Sequence, residues 1–191
     1  MESEEITLEE VKRNKVVVNE TLYDRYAPVL LSLCLRYCGN QEDAEDVLHD
    51  GFIKIIKHIH TFKRRTNGSF EGWMKRIIVN TALNYIRDRS KETQYVAMES
   101  IQEPTDDEGN SGMPLDLPGG QLSQEEILQM VLDLPPGYRI VFNLYVFEDY
   151  SHREIADLLH MSENTSKSQL SKARALLRKQ ILERIKKPTF A

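Results

Sequence analysis

The chain reads as all-α, with two small helical domains joined by a flexible acidic linker, and three observations predict this. Apolar residues recur at helical spacing in two blocks. Between the blocks, residues 92–122 lose that period and hold Pro104, Gly109, Gly112, Pro114, Pro118, Gly119 and Gly120. Beyond them, Ser151 and Ser162 each begin a helix-like stretch, one directly after the other. At 191 residues the chain can build two small cores. The organisation expected is an N-terminal extension over 1–19, a first domain over 20–91, the linker over 92–122, a second domain over 123–187 and a tail over 188–191.

Residues 1 to about 18 are acidic and then mixed, and carry no functional signal. From Glu20 the helical period becomes clear: Leu22, Tyr26, Val29, Leu30, Leu33, Leu35 and Tyr37 fit a first long helix, and Gly39-Asn40 offers a left-handed stop. A second helix starts over Gln41 to Glu45, with acids in its first turn where the macrodipole favours them. Its apolar band is broad (Ala44, Val47, Leu48, Phe52, Ile53, Ile55, Ile56, Ile59), with Asp43, Asp46, His49, Asp50 and Lys54 beside it. From Thr61 to Phe70 the pattern breaks into a basic loop, Lys63-Arg64-Arg65 between Phe62 and Phe70. Cations beside aromatic rings suit single-stranded DNA, the charges for its backbone and the rings for unstacked bases. A third helix is expected over about Glu71–Arg89, with Met74, Ile77, Ile78, Ala82, Leu83 and Ile86 inward and Trp73, Lys75, Arg76, Asn80, Asn84 and Arg87 among its other residues. Trp73 is as well suited to anchoring a core as to touching a base.

After the linker, helices are expected over about Ser123–Leu132 and Pro135–Phe147, with a proline in the first turn of the later one. Ser151-His152-Arg153-Glu154 is a capping box, followed by Ile155, Ala156, Leu158 and Leu159 at helical spacing. Ser162 caps a longer helix over about Glu163–Lys179, with Leu170, Ala173, Leu176 and Leu177 inward. Two helices on a tight turn, with Ala156 at the crossing, read as a helix-turn-helix. The arc left outward holds Asn164, Thr165, Lys167, Ser168, Gln169, Ser171, Lys172 and Arg174. Cations suit phosphates, and amides, hydroxyls and arginine suit base edges in a major groove.

The net charge of −5 is unevenly spread. No lysine or arginine falls between Glu92 and Tyr138, while Phe62–Lys91 and Lys167–Lys187 are strongly basic. That asymmetry is compatible with nucleic acid where the total is not. No apolar run is long enough to span a bilayer and the acidic N-terminus lacks a signal peptide's features, so a cytoplasmic protein is expected. Cys34 and Cys38 lack zinc-finger spacing and are expected to be ordinary thiols. There is no glycine-rich phosphate loop, His-Glu-x-x-His or recognisable Ser/His/Asp arrangement, and the five histidines are scattered. No enzyme, cofactor, metal or small-molecule substrate is expected.

The order Asp43-Ala44-Glu45-Asp46-Val47-Leu48-His49-Asp50-Gly51-Phe52, then Phe70-x-x-Trp73, then Arg76-Ile77-x-x-Asn80, resembles region 2 of bacterial sigma-70 factors, most of all the small extracytoplasmic-function (ECF) group. Leu134-Pro135-Pro136 through Arg174, above all Glu154-Ile155-Ala156 and Ser162–Arg174, resembles their region 4. The resemblance implies a transcription initiation factor. Asp46, His49, Asp50 and Phe52 would dock on the clamp of the largest subunit of core RNA polymerase. Lys63, Arg64, Arg65, Trp73, Arg76, Asn80, Asn84 and Arg87 would melt and hold the −10 element. Thr165, Lys167, Ser168, Gln169, Ser171, Lys172 and Arg174 would read the duplex −35 element. Contact with the flap of the second-largest subunit and control by an anti-sigma factor, membrane-anchored in one form the family uses, are implied too. The linker would run near the polymerase's active centre and RNA exit.

Four positions depart from the family pattern. His49 stands for a usual glutamine, and His160 for a glycine in the turn, where a left-handed backbone would be strained. Ser166 stands for valine or isoleucine at the helix–helix contact, with a hydroxyl able to bond back to its own helix. Gln169 stands for an arginine, one charge fewer. Two other classes fit less of the sequence: a stand-alone helix-turn-helix regulator leaves the basic loop and third helix unexplained, and a nucleotide-acting enzyme with a DNA-binding tail lacks a catalytic constellation.

Overall fold

The computed structural model describes residues 15–63, 68–92 and 122–186, and divides into two compact units, Met1–Tyr95 and Val96–Ala191. Among the described residues there are helices and no strand. The basic-loop residues 64–67 and residues 93–121 of the expected linker lie outside the described residues, as do the tail and residues 1–14.

In the first unit, α1 (Lys15–Cys38), α2 (Gln41–His58) and α3 (Phe70–Glu92) all pack on one another, with a single 3₁₀ turn at Ile59–Thr61. Leu22, Tyr26, Leu30, Leu33 and Tyr37 place one stripe of α1 in the core. They meet Val47, Leu48, Phe52 and Ile55 of α2 and Met74, Ile78, Val79 and Ala82 of α3, all buried. Gly39 adopts φ 85° and sends its N–H to Leu35 O (3.0 Å), ending α1 as its sequence suggests. Asn40 then caps α2 by accepting from Asp43 N at 2.9 Å. Gly51 is needed where α2 crosses α3: a Cβ there would overlap Ile78 Cδ1 and lie 3.5 Å from its Cγ1, and Ile78 is fully buried.

α1 starts before Glu20 and α3 before Glu71, the latter because Ser69 caps it by accepting from Gly72 N at 3.0 Å. The broad apolar band of α2 is wider than the two neighbouring helices cover. Ile53 is 58 % exposed and Ile56 37 %, and Val29 of α1 is exposed as well.

In the second unit, α4 (Gln124–Leu132), α5 (Pro136–Phe142), α6 (His152–Leu159) and α7 (Glu163–Lys186) surround Val131, Leu134, Val141, Leu144, Ile155, Leu170, Ala173 and Leu177. Ser123 and Glu126 form a capping box for α4, and Pro136 takes the first position of α5. Arg139 donates to Leu132 O at 2.7 Å, satisfying a carbonyl at the end of α4. The expected single helix to Phe147 instead widens into a π-helical turn over Asn143–Phe147, closed by Glu148 N to Asn143 O (3.2 Å). α7 runs past Lys179 because Ile181 is buried and Arg184 grips Glu126 Oε1 with two donors, at 2.9 and 2.7 Å. Leu176, expected inward, is 36 % exposed.

Candidate nucleic-acid interface

In the second unit the helix-turn-helix is built by two serine caps and one strained residue. Ser151 Oγ accepts from Glu154 N (3.2 Å) while Glu154 Oε2 accepts from Ser151 N (2.9 Å), a complete capping box. α6 ends at His160, which takes the left-handed conformation (φ 55°, ψ 45°), so the turn keeps its shape with a histidine where glycine costs less. Ser162 Oγ accepts from Thr165 N at 3.0 Å and lies 2.8 Å from Thr165 Oγ1. The Thr165 hydroxyl is therefore engaged with the cap.

At roughly 100° per residue, Asn164, Lys167, Ser168 and Ser171 share one side of α7, and all four are exposed. Thr165 and Lys172 flank them on one edge and Arg174 on the other, each half-buried. Lys167 faces Glu163 at 4.0 Å across two exposed side chains, a pair that screening leaves weak. Gln169 sits apart. Its Oε1 is buried without a hydrogen-bond partner among the described residues, and the carboxamide lies over Gly137 of α5, where a Cβ would be 3.7 Å away. Of the predicted −35 set, Gln169 is thus the one directed at the helix behind it.

Ser166 is fully buried, and its hydroxyl meets His152 Nδ1 of α6 at 2.9 Å rather than a carbonyl of its own helix. The His152 ring stacks on Tyr145, with centroids 4.6 Å apart. Burial, then the charges of Lys167 and Arg174, hold the imidazole below its ordinary range, against an opposing pull from Glu163.

In the first unit, Trp73, Arg76, Asn80, Asn84 and Arg87 lie along one side of α3 at that same helical rotation. Arg76, Asn80, Asn84 and Arg87 are exposed, and Arg87 donates to Asn84 Oδ1 at 2.9 Å. Trp73 differs: it is 8 % exposed, stacked on Phe70 at 5.6 Å and tilted against Phe62 at 5.5 Å. The ring cluster anchors the start of the strip rather than offering a free face, and such pairs add about 0.5–1.5 kcal/mol beyond area burial. Lys63 is exposed at the loop's entry; Arg64 and Arg65 lie outside the described residues.

On α2, Asp46, His49 and Asp50 are exposed on one stripe. Phe52 is corrected to the core: it lies beyond the His49 edge of that stripe, 4 % exposed, with its ring 4.8 Å from Tyr23. What the sequence reading missed on this stripe is its continuation through Ile53 and Ile56, one and two turns on, an apolar end to an acidic face. It missed as well a tie across the unit. Asp43 accepts from Tyr85 OH at 2.5 Å and from Arg89, so the start of α2 holds the far end of α3. The Tyr85 hydrogen bond, helped by Asn40 and Arg89, keeps the Asp43 carboxyl below its usual range, and burial with the Asp43 charge pushes the Tyr85 phenol up to about 12. Pairing partners 42 and 46 residues apart leave no local signal. Burial pushes the Cys34 thiol up to about 12, which makes it a poor nucleophile. Among the described residues, no helix is long and apolar enough to cross a membrane.

Two family models match the chain: Sigma-70 region 2 over residues 22–92, and Sigma-70, region 4 over residues 124–177. The ECF RNA polymerase sigma factor SigW of Bacillus subtilis is 26 % identical over 178 residues, which are 91 % of this chain and 94 % of that protein. The ECF RNA polymerase sigma factor SigE of Mycolicibacterium smegmatis is 30 % identical over 165 residues, 83 % of this chain and 60 % of its own. Among solved structures, the sigma factor RpoE of Bartonella quintana, in complex with the anti-sigma factor NepR, has a TM-score of 0.54. It is 20 % identical and covers 86 % of this chain and 96 % of its own, a likeness of fold.

Proposed function

Since the chain belongs to the sigma-70 family of bacterial RNA polymerase sigma factors, in its extracytoplasmic-function group, we propose that its exposed helix faces divide the work of promoter recognition. The protein binds core RNA polymerase, recognises −35 and −10 promoter elements and promotes melting and initiation, and an anti-sigma factor is a further partner. It acts in the cytoplasm, where polymerase meets the chromosome, and contributes no catalytic chemistry of its own. Residues 20–91 form the polymerase- and −10-binding domain, 92–122 the linker and 123–187 the −35-binding domain.

Asp46, His49 and Asp50 dock on the polymerase clamp, and Ile53 and Ile56 extend that contact with apolar area. Arg76, Asn80, Asn84 and Arg87 face the melted −10 strand, with Lys63, Arg64 and Arg65 drawing its backbone. Lys167, Ser168, Ser171, Lys172 and Arg174 face the −35 duplex, with Thr165 beside them. The observation that carries this reading is the exposed strip of amides and cations along α3. A regulator that bound duplex DNA through α7 alone would have no use for it.

The free protein is expected to bind promoters weakly, because two tethered modules reach both elements only when polymerase sets their spacing. Run-off transcription on genomic fragments, with purified core polymerase and with or without this protein, tests the reading. Discrete new start sites that require the protein are the result expected. Tight duplex binding by the protein alone, with no initiation, would overturn it.

A further inference from the structure

The second unit contains a polar cluster of which the assigned DNA contacts use only Arg174. Ser166, fully buried on α7, is a hydroxyl that must find a partner away from water, and it finds His152 Nδ1 at 2.9 Å. The neutral imidazole either accepts from Ser166 or donates to it, and both tautomers join α6 to α7. The ring also stacks on Tyr145 at 4.6 Å and 25° between planes. The Arg174 guanidinium carbon in turn lies 5.8 Å from the Tyr145 ring centroid. Tyr145 belongs to the π-helical turn, His152 opens α6, and Ser166 and Arg174 stand on α7, so one chain of contacts crosses three elements.

We infer that Tyr145 and His152 are positioning residues for the −35-reading helix: His152 sets the seat of α7 through Ser166, and Tyr145 holds the Arg174 guanidinium at the edge of the exposed arc. The inference rests on the assignment of α7 to duplex DNA. Arginine is rich in rotamers, and one whose guanidinium already rests on a ring has less freedom to lose when a phosphate or base edge arrives. The half-burial of Arg174 beside the exposed Lys167 fits a side chain that is held before it is used. A charged imidazole between these two cations would repel both, and the depressed His152 pKa agrees with a ring that stays neutral.

The test is closed-complex formation by the reconstituted holoenzyme on a promoter fragment, followed across salt concentrations, with thermal melting of each variant alongside. Tyr145→Leu and Arg174→Gln are each expected to weaken binding about two- to fivefold. The double variant should bind no more weakly than Arg174→Gln alone, and Tyr145→Phe, which keeps the ring, should bind as the parent does. Additive losses in the double variant, or a loss in Tyr145→Leu that only follows its lowered melting temperature, would overturn the inference. Should Tyr145→Leu fail to fold, Tyr145→Met takes its place in the same cycle with Arg174→Gln: a double variant no weaker than Arg174→Gln supports positioning, and additive losses refute it. Lys167→Gln separates the two layers. If that variant leaves affinity and salt slope intact, the assignment of α7 to duplex DNA itself falls.

Discussion

The two units hold the helices proposed to face DNA in different ways. In the first, the strip on α3 is backed mainly by apolar packing: Met74, Ile78, Val79 and Ala82 are buried, Trp73 packs among Phe62 and Phe70, and one polar tie, Asp43 to Tyr85 and Arg89, holds the far end. In the second, α7 is seated by specific polar contacts: Ser162 caps it, Ser166 bonds to His152, and Arg184 grips Glu126. Packing of the first kind is felt at every methylene, since a close-packed interior cannot absorb added volume. Contacts of the second kind are individually small, and each can be removed without emptying a core. The first arrangement suits the proposed role of α3, a helix that stays rigid while strands separate against it. The second fixes the seat of a short element whose own core is small.

The largest effect that sharpens this contrast is expected at Gly51. Gly51→Ala pushes a methyl into the fully buried Ile78, and overpacking of this kind costs about 1–3 kcal/mol. Hydrogen exchange should show the loss in the amides of α1–α3. Parental protection there would mean that the end of the Ile78 side chain turns aside at little cost. Ser151→Ala removes the capping box of α6 and should cost about 1 kcal/mol, read in the amides of α6 and α7. His160→Gly works in the opposite direction: it relieves a left-handed backbone and should stabilise the second unit by up to about 1 kcal/mol by chemical denaturation.

The smallest effect is in pH, and it divides the units most cleanly. His152 has a folded pKa below its ordinary 6.5, so the unfolded chain binds the extra proton. The second unit should therefore keep its full stability above about pH 6.5 and lose some as pH falls toward the lowered folded value. His152→Asn should flatten that slope. Asp43, whose pKa is lowered from 3.8, places the first unit's dependence in strong acid: its contribution is present above that value and is lost as pH falls through the folded pKa. A second unit whose denaturation midpoint is constant from pH 7 to pH 5 would contradict the account of His152.

What could be read from the sequence was mostly local. The caps at Ser151 and Ser162, the left-handed stop at Gly39 and the two-helix pattern after Tyr150 are short-range chemistry, and the structure has each of them. What escaped depends on partners far along the chain. Ser166 chose His152 over its own helix because the fold brings α6 within reach. The last turns of α7 persist because Glu126 waits for Arg184, 58 residues away. Ile53 and Ile56 match Phe52 and Ile55 in hydropathy, and only the number of helices packed around α2 decides which of them reach solvent. For the same reason Phe52 read as part of the docking stripe and Gln169 as part of the DNA face, when one lies in the core and the other over Gly137.

One chain is proposed to carry two separable promoter-reading faces. Asn80→Ala and Lys167→Gln test it most directly, each as holoenzyme on one promoter, with closed-complex affinity and permanganate reactivity of the −10 thymines measured together. The account predicts that Asn80→Ala lowers strand opening while closed-complex affinity stays near the parent's. Lys167→Gln should lower affinity and its salt slope by about one, with opening per bound complex unchanged. Equal losses of both readouts in both variants would contradict it.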